Sequence, residues 1–311
     1  MVKALIIGAT GKQGGATARS LLKAGHDVHA LVRTPDSEAA QALKSQGAVL
    51  FEGNTDDLDA IKAAMAGTSA VFWVSLPSFT DWQEEVRGTK NIVDAAKQSG
   101  SVEHLIYSTV GMIEHIKEVP QWDANPFLKL YWENKIAGEE CVRSAGLKYY
   151  TILRPHEFMS NLVLPLATFQ FPDMTSTGVW NSAFPRGFRN LYIDTEDIGR
   201  VAAAALLNPE GWNGREVEIA AERVPVGQVV ELVSAAAGKQ LSLRTLGEEE
   251  ALKAGEQNPV LLGQLCCLKY AELHPEWDTQ PIDDFGLGFK TLKQFLEENK
   301  ELVVETYKNV Q

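Results

Sequence analysis

The residues with the plainest chemical meaning lie near the start of the chain, Gly8-Ala9-Thr10-Gly11-Lys12-Gln13-Gly14. This G-x-x-G-x-x-G run joins an aliphatic segment at 3–7 to an amphipathic one at 13–23. Glycines there allow a tight turn and let backbone N–H groups close on a pyrophosphate. The helix behind them adds the positive end of its dipole. The spacing differs from the G-x-G-x-x-G dinucleotide fingerprint, but a turn between a first strand and a first helix is the context that fingerprint requires. Gly8, Thr10, Gly11, Lys12, Gln13 and Gly14 are therefore candidates for holding a dinucleotide. The bland alternative is a tight turn with no ligand.

The end of the second strand, 27–32, discriminates between dinucleotides. An NAD site has an Asp or Glu there to bind the ribose 2′-hydroxyl. This chain has Leu31-Val32-Arg33 instead. Arg33 can fork onto a 2′-phosphate, and Lys12 can add a second cation, so NADP(H) is favoured over NAD(H). As a plain surface residue, Arg33 would be a solvated loop charge.

Of the seven tyrosines, one stands in a Tyr-x-x-x-Lys spacing, Tyr131-Trp132-Glu133-Asn134-Lys135. Residues at i and i+4 share one face of a helix. A lysine ammonium beside a phenol stabilises the phenolate, while the phenol donates a proton to a carbonyl that receives hydride. The competing reading is a tyrosine that only packs. His156-Glu157 opens like a zinc protease motif, but position 160 is Ser160 rather than histidine. The six histidines are otherwise scattered, so spacing gives no metal site. Nucleophile elbows, P-loops and paired-carboxylate signatures are absent.

Elements that could position these residues alternate through the first 155 positions. Strands are expected at 3–7, 27–32, 48–51, 70–74, 103–109 and 148–153. Helices are expected at 13–23, 37–45, 57–65, 82–98 and from 125–126 to 144. Such alternation predicts an α/β fold, a doubly wound parallel sheet with helices on both faces. Ligands of such sheets bind outside the carboxyl ends of the strands. That rule adds Asn54, Ser75, Leu76 and Pro77 to the cofactor-lining candidates, and it makes the hydroxyls of Ser108 and Thr109 notable. After Pro155 the rhythm loosens. Glycine, proline and aromatics gather between 169 and 190, where Trp180, Phe184 and Phe188 are candidates for an apolar substrate pocket or for the core of a lobe. A strand at 191–193, a helix at 196–207 and a strand at 215–220 follow, then a helix at 225–237 and a short strand at 241–245. The clearest late helices are 260–273 and 290–307. The expected organisation is a nucleotide-binding domain at 1–155 and a smaller α/β lobe at 156–311, with 191–220 returning to the main sheet.

The 311 residues carry 41 acidic against 29 basic side chains, a net charge of -12. A surface that negative repels phosphate backbones and anionic lipid, which argues against direct nucleic-acid or membrane binding. Three cysteines, Cys141, Cys266 and Cys267, form no disulfide framework and point to a reducing compartment. With no apolar run of membrane-spanning length and a glycine turn where a secretory core would continue, a soluble, cytoplasmic chain is expected.

These residues together resemble the NmrA-like group of atypical short-chain dehydrogenases/reductases. The resemblance rests on Gly8–Gly14, on Arg33, on Lys135 in a helix ending Glu139-Glu140, and on Leu153-Arg154-Pro155 followed by Phe158-Met159-x-Asn161. It implies a Rossmann-type NADP(H) domain with a smaller C-terminal lobe closing over substrate. By the same resemblance, Tyr131 and Lys135 occupy the helix where short-chain reductases carry their catalytic pair, and Ser108 or Thr109 orients the substrate oxygen. Pro155, His156 and Phe158 then fall near the nicotinamide. Some members reduce small molecules; others bind the dinucleotide and regulate a protein partner without turnover, which would admit a nuclear location. Many relatives keep the lysine without the tyrosine, so Tyr131 favours an NADPH-dependent reductase of a small, apolar carbonyl or enone-type compound. The long helices pair into dimers in many short-chain reductases and stay monomeric in this group, which leaves monomer and homodimer open.

Overall fold

Lys3–Ile7 forms the first strand, β1, with its last four side chains buried. In this computed structural model, which describes all residues except Phe79, Gln121 and Ala124, strands and helices then alternate. They are α1 (Lys12–Lys23), β2 (Asp27–Val32), α2 (Glu38–Ser45), β3 (Val49–Glu52), α3 (Leu58–Met65), β4 (Ala70–Val74), α4 (Glu84–Ser99), β5 (His104–Ser108), α5 (Pro126–Arg143) and β6 (Tyr149–Pro155). Shorter pieces come next: β7 (Glu157–Phe158), α6 (Ala167–Gln170), α7 (Pro172–Thr177), β8 (Val179–Ser182) and β9 (Arg189–Ile193). The chain continues through α8 (Thr195–Leu207), α9 (Pro209–Trp212), β10 (Arg215–Ile219), β11 (Glu222–Pro225), α10 (Val226–Ala237) and β12 (Ser242–Thr245). It ends with α11 (Glu248–Gly255), α12 (Pro259–Leu273), α13 (Leu292–Glu298) and α14 (Lys300–Thr306).

Packing divides the chain into two compact units. One holds 1–111, 131–155 and 195–218; the other holds 112–130, 156–194 and 219–311. In the first unit the strands form a seven-stranded sheet in the order β10-β6-β5-β4-β1-β2-β3, and neighbouring strands from β3 to β6 pair in parallel. The order reverses at β1 and β4, the switch point at which doubly wound sheets bind ligands. Local chemistry explains the helix starts. Ser37 and Asp57 accept the N–H groups of Ala40 and Ala60 at 3.3 and 2.9 Å, and Asn125 Oδ1 accepts those of Phe127 and Leu128 at 2.9 and 3.2 Å ahead of Pro126. The expected helix at 82–98 begins only at Glu84, because Asp81 Oδ1 accepts from Gln83 N–H at 3.0 Å in a turn of its own.

The edge strand β10 is tied in by charge. Glu139 on α5 is buried and takes Arg154 of β6 at 3.0 and 2.8 Å. Arg154 also reaches Glu216 of β10 at 2.6 Å, and Arg143 bridges Glu139 and Glu216 at 2.6 and 2.5 Å. Glu216 is thereby held below the usual carboxylate range, first by its hydrogen bond to Arg143.

His104, on β5 and 1 % exposed, sets a pH dependence. Thr151 Oγ1 donates to Trp212 O at 2.8 Å, so it accepts from His104 Nε2 at 2.9 Å. Nδ1 is buried with no hydrogen-bond partner, and burial pulls the imidazole down to about 4. The unfolded histidine, near pKa ~6.5, takes up a proton that the native state refuses. Stability is therefore full above the unfolded value and falls as pH drops from there toward about 4. At pH 5 this residue is expected to cost the fold about 2 kcal/mol relative to neutral pH. Denaturant unfolding of wild type and His104→Phe at both pH values checks this: the variant should lose that share of the pH dependence.

The second unit has its own core. Met174, Trp180, Phe184, Tyr192, Val229, Leu292 and Tyr307 are among its buried members. Small sheets β11-β9-β7 and β12-β8 frame it. The single helix expected at 290–307 is two, α13 and α14. Asn299 lies between them and its side-chain Nδ2 donates to Phe295 O at 2.8 Å, the local competition by which asparagine interrupts helices. Among the described residues no helix is long and apolar enough to cross a membrane.

Candidate functional site

The glycine turn leaves β1 with Gly8 at φ +79°, a left-handed conformation natural to glycine. Gly11 N–H closes the turn on Gly8 O at 2.9 Å. A Cβ on Gly14 would stand 2.3 Å from Gly8 O, so only glycine lets the first turn of α1 lie against the loop. No side chain caps α1 at Gly11, and the positive end of the helix is presented to the loop. Thr10 and Lys12 are exposed there, while Gln13 is buried.

The pairing of Ile7 with Leu31 carries Gly8 and Val32 onto one sheet edge. Arg33 follows Val32, is exposed, and makes no ion pair among the described residues. Asn54 is also exposed, and its Oδ1 accepts from Asp56 N–H at 2.8 Å, which builds the turn after β3. After β4, Ser75 is buried, Leu76 exposed and Pro77 half-buried.

Ser108 ends β5 and Thr109 follows it, each with its hydroxyl proton committed. Ser108, fully buried, donates to Gln13 Oε1 at 2.6 Å, and Thr109 donates to Glu139 Oε1 at 2.8 Å. The first bond locks the end of β5 to the helix behind the glycine turn; the second joins the Arg154 cluster.

Lys135 lies in a buried polar cluster that draws on four elements. Its Nζ donates to Ser75 O and Ser75 Oγ, each at 3.0 Å, and pairs with Glu85 Oε1 at 2.6 Å. The two charged side chains are 3 % and 1 % exposed. Ser75 Oγ donates its proton to Glu85 Oε1 at 2.5 Å, so the Tyr107 hydroxyl at 2.8 Å donates to Ser75 Oγ. Gly138 makes room for that hydroxyl, since a Cβ there would lie 2.3 Å from it. Burial lowers the pKa of Lys135 and the Glu85 carboxylate opposes the shift; burial raises the Tyr107 phenol. Glu85 and Tyr107 are members that sequence reading did not find. An acid in the first turn of a helix, such as Glu85, reads as a dipole complement, and no local signal separates the two roles.

Tyr131 is half-buried one turn before Lys135, whose Nζ is 5.6 Å from its ring centroid. The ammonium faces the ring, but Glu85 offsets much of its charge. Pro155 closes β6, buried, and accepts from Gly111 N–H at 3.0 Å.

Within the second unit, His156 and Phe158 are half-buried. His156 N–H donates to Ile219 O at 3.1 Å, and its ring lies 6.1 Å from that of Trp277. Between them, Glu157 accepts from Asn161 Nδ2 at 2.7 Å, and burial raises its carboxyl. Trp180 and Phe184 belong to the core. Phe188 is half-buried, stacking on Phe184 at 4.4 Å and on Trp277 at 6.1 Å. The rings of Phe184, Phe188, Trp277 and His156 thus form one row.

A family model described as the NmrA-like family matches residues 2–263. The NmrA-like family domain-containing oxidoreductase notA of Aspergillus sp. is 44% identical over 110 residues, 33% of this chain and 32% of its own. The chain thus spans about a third of that relative's length, and 57% and 60% of two others. Among solved structures, the negative transcriptional regulator Nmra in complex with NAD superposes with a TM-score of 0.77 at 20% identity, covering 99% of this chain and 98% of that one. The NADPH-dependent quinone oxidoreductase QOR2 of Escherichia coli, complexed with NADPH, gives 0.70 at 22% identity over 95% of this chain and 99% of its own. At these identities the likeness is one of fold.

Proposed function

The chain belongs to the NmrA-like family, and from that premise we propose that it is an NADPH-dependent reductase of a small, apolar carbonyl or enone-type compound. The observation that carries the reading is the Tyr131 ring set 5.6 Å from Lys135 Nζ, in the same unit as the glycine turn. The turn Gly8–Gly14 and the N-terminus of α1 hold the pyrophosphate. Arg33 forks onto the 2′-phosphate and Lys12 adds a second cation. Asn54, Ser75, Pro77 and Pro155, in the same unit as the turn, line the coenzyme. When bound, the reduced nicotinamide supplies hydride. Tyr131 donates the proton to the substrate oxygen, and Lys135, anchored by Ser75 and Glu85, supports the phenol. Ser108 fixes Gln13 beneath the turn, and its hydroxyl orients substrate only by leaving Gln13. Phe188 and His156, the half-buried rings of the aromatic row, suit a flat, apolar acceptor.

A second reading is a non-catalytic NADP(H)-sensing regulator that acts through a protein partner. One observation favours it: the ammonium of Lys135 and the hydroxyls of Ser108 and Thr109 are all spent on protein groups. The discriminating experiment incubates the protein with NADPH and a panel of aldehydes, ketones, quinones and enones, following the near-ultraviolet absorbance of the reduced nicotinamide. The reductase reading predicts coenzyme oxidation with at least one apolar acceptor. Silence across the panel, with tight NADPH binding and a co-purifying protein, supports the regulator instead.

A further inference from the structure

Two histidines 159 positions apart in the chain are brought together in the second unit. His115 opens a short 3-10 turn, 116–118, and His274 caps the C-terminus of α12. Their rings stack at 4.6 Å with an interplanar angle of 25°. Glu118 spans both: its Oε1 accepts a hydrogen bond from His115 Nδ1 at 2.9 Å, which a bound ion would replace, and its Oε2 is 3.2 Å from His274 Nε2. One donor atom from each of the three residues lies within 4.8 Å of the others. We propose that His115, Glu118 and His274 form a binding site for a zinc-type divalent transition-metal ion, with Glu276 orienting His274 from behind.

Electrostatics and geometry lead to the same ion. The His274 side chain is 14% exposed, and Nε2 is a buried atom with no aligned hydrogen bond despite the carboxylate oxygen beside it. Its other nitrogen, Nδ1, lies 3.4 Å from Glu276 Oε1. With the ring proton on Nδ1, toward Glu276, Nε2 presents a lone pair. That lone pair then faces the Glu118 carboxylate, acceptor against acceptor, an arrangement a cation between them satisfies. Tetrahedral zinc with bonds of about 2.0–2.2 Å sets its donors roughly 3.3 Å apart, close to the 3.2 Å between Glu118 Oε2 and His274 Nε2. Two imidazoles and one carboxylate make three protein ligands, and water completes such an open site. The net charge of -12 draws cations to the surface generally.

Spacing could not group these residues, since no two histidines share an element among the described residues and the fold alone joins positions 115 and 274. The site is tested on chelator-treated full-length protein by calorimetric titration with zinc chloride and by the visible absorption of added cobalt(II). Wild type is expected to bind one ion per chain and to give the visible bands of a tetrahedral nitrogen–oxygen cobalt site. His115→Ala and His274→Ala should abolish both signals, and Glu276→Gln should weaken binding about 10–100-fold. A wild-type protein that gives no cobalt spectrum overturns the proposal, whether or not any variant folds. So does a spectrum with the intense charge transfer of a thiolate ligand, or one unchanged in His274→Ala.

Discussion

Replacing Lys135 with methionine is expected to cost about 3–5 kcal/mol of folding stability. The ammonium is the only charge balancing the buried carboxylate of Glu85 among the described residues, and Glu85 Oε2 already lacks a hydrogen-bond partner. Removing the lysine leaves that carboxylate desolvated and unpaired, and it removes two hydrogen bonds from Ser75. Since Ser75, Glu85, Tyr107 and Lys135 come from the end of β4, from α4, β5 and α5, the loss is felt across the sheet and both helices. Exchanging both partners, Lys135→Met with Glu85→Leu, should recover most of the stability, because an apolar pair leaves no charge stranded. Denaturant unfolding of the single and double variants measures this. A single variant within about 1 kcal/mol of wild type, the range of an exposed pair, would mean that the ammonium is not held where the structure has it.

Tyr131→Phe is expected to lower kcat by about 10²–10⁴-fold, the usual contribution of a positioned acid, while leaving NADPH affinity nearly unchanged. The phenyl ring keeps the packing against Lys135 and loses only the hydroxyl. A reductase that depends on this proton should lose kcat with little change in KM, because the interaction is made in the transition state. Wild-type turnover in the variant removes Tyr131 from the mechanism. The two predictions separate the roles of neighbouring residues: Lys135 should show in stability and in turnover, Tyr131 in turnover alone.

Much of the first unit is legible in the sequence because its signals are local. Aliphatic strands, amphipathic helices and caps such as Ser37, Asp57 and Asn125 each act within a few residues, and parallel alternation follows from their order. The candidate site is legible only where backbone conformation dictates residue type, as at Gly8 and Gly14. Side-chain commitments are not. Ser108 could have faced a substrate, and nothing near it in the chain shows that its proton goes to Gln13. Glu85 looks like any first-turn acid until α5 delivers Lys135. The break at Asn299 escapes a periodicity reading because the apolar spacing of 290–307 runs through it. His115 and His274 meet only through the packing of the 3-10 turn against the end of α12.

The central claim is that this chain holds NADP(H) on the carboxyl edge of its sheet, with Arg33 on the 2′-phosphate. Calorimetric titration of NADPH and NADH into wild type and Arg33→Ala at modest ionic strength tests it most directly. A charge-assisted contact worth about 1.5–3 kcal/mol predicts that wild type binds NADPH roughly 10–100-fold more tightly than NADH, and that the variant loses this preference while still binding both. No heat from either coenzyme in the wild-type protein, or a preference for NADPH that Arg33→Ala leaves intact, contradicts it.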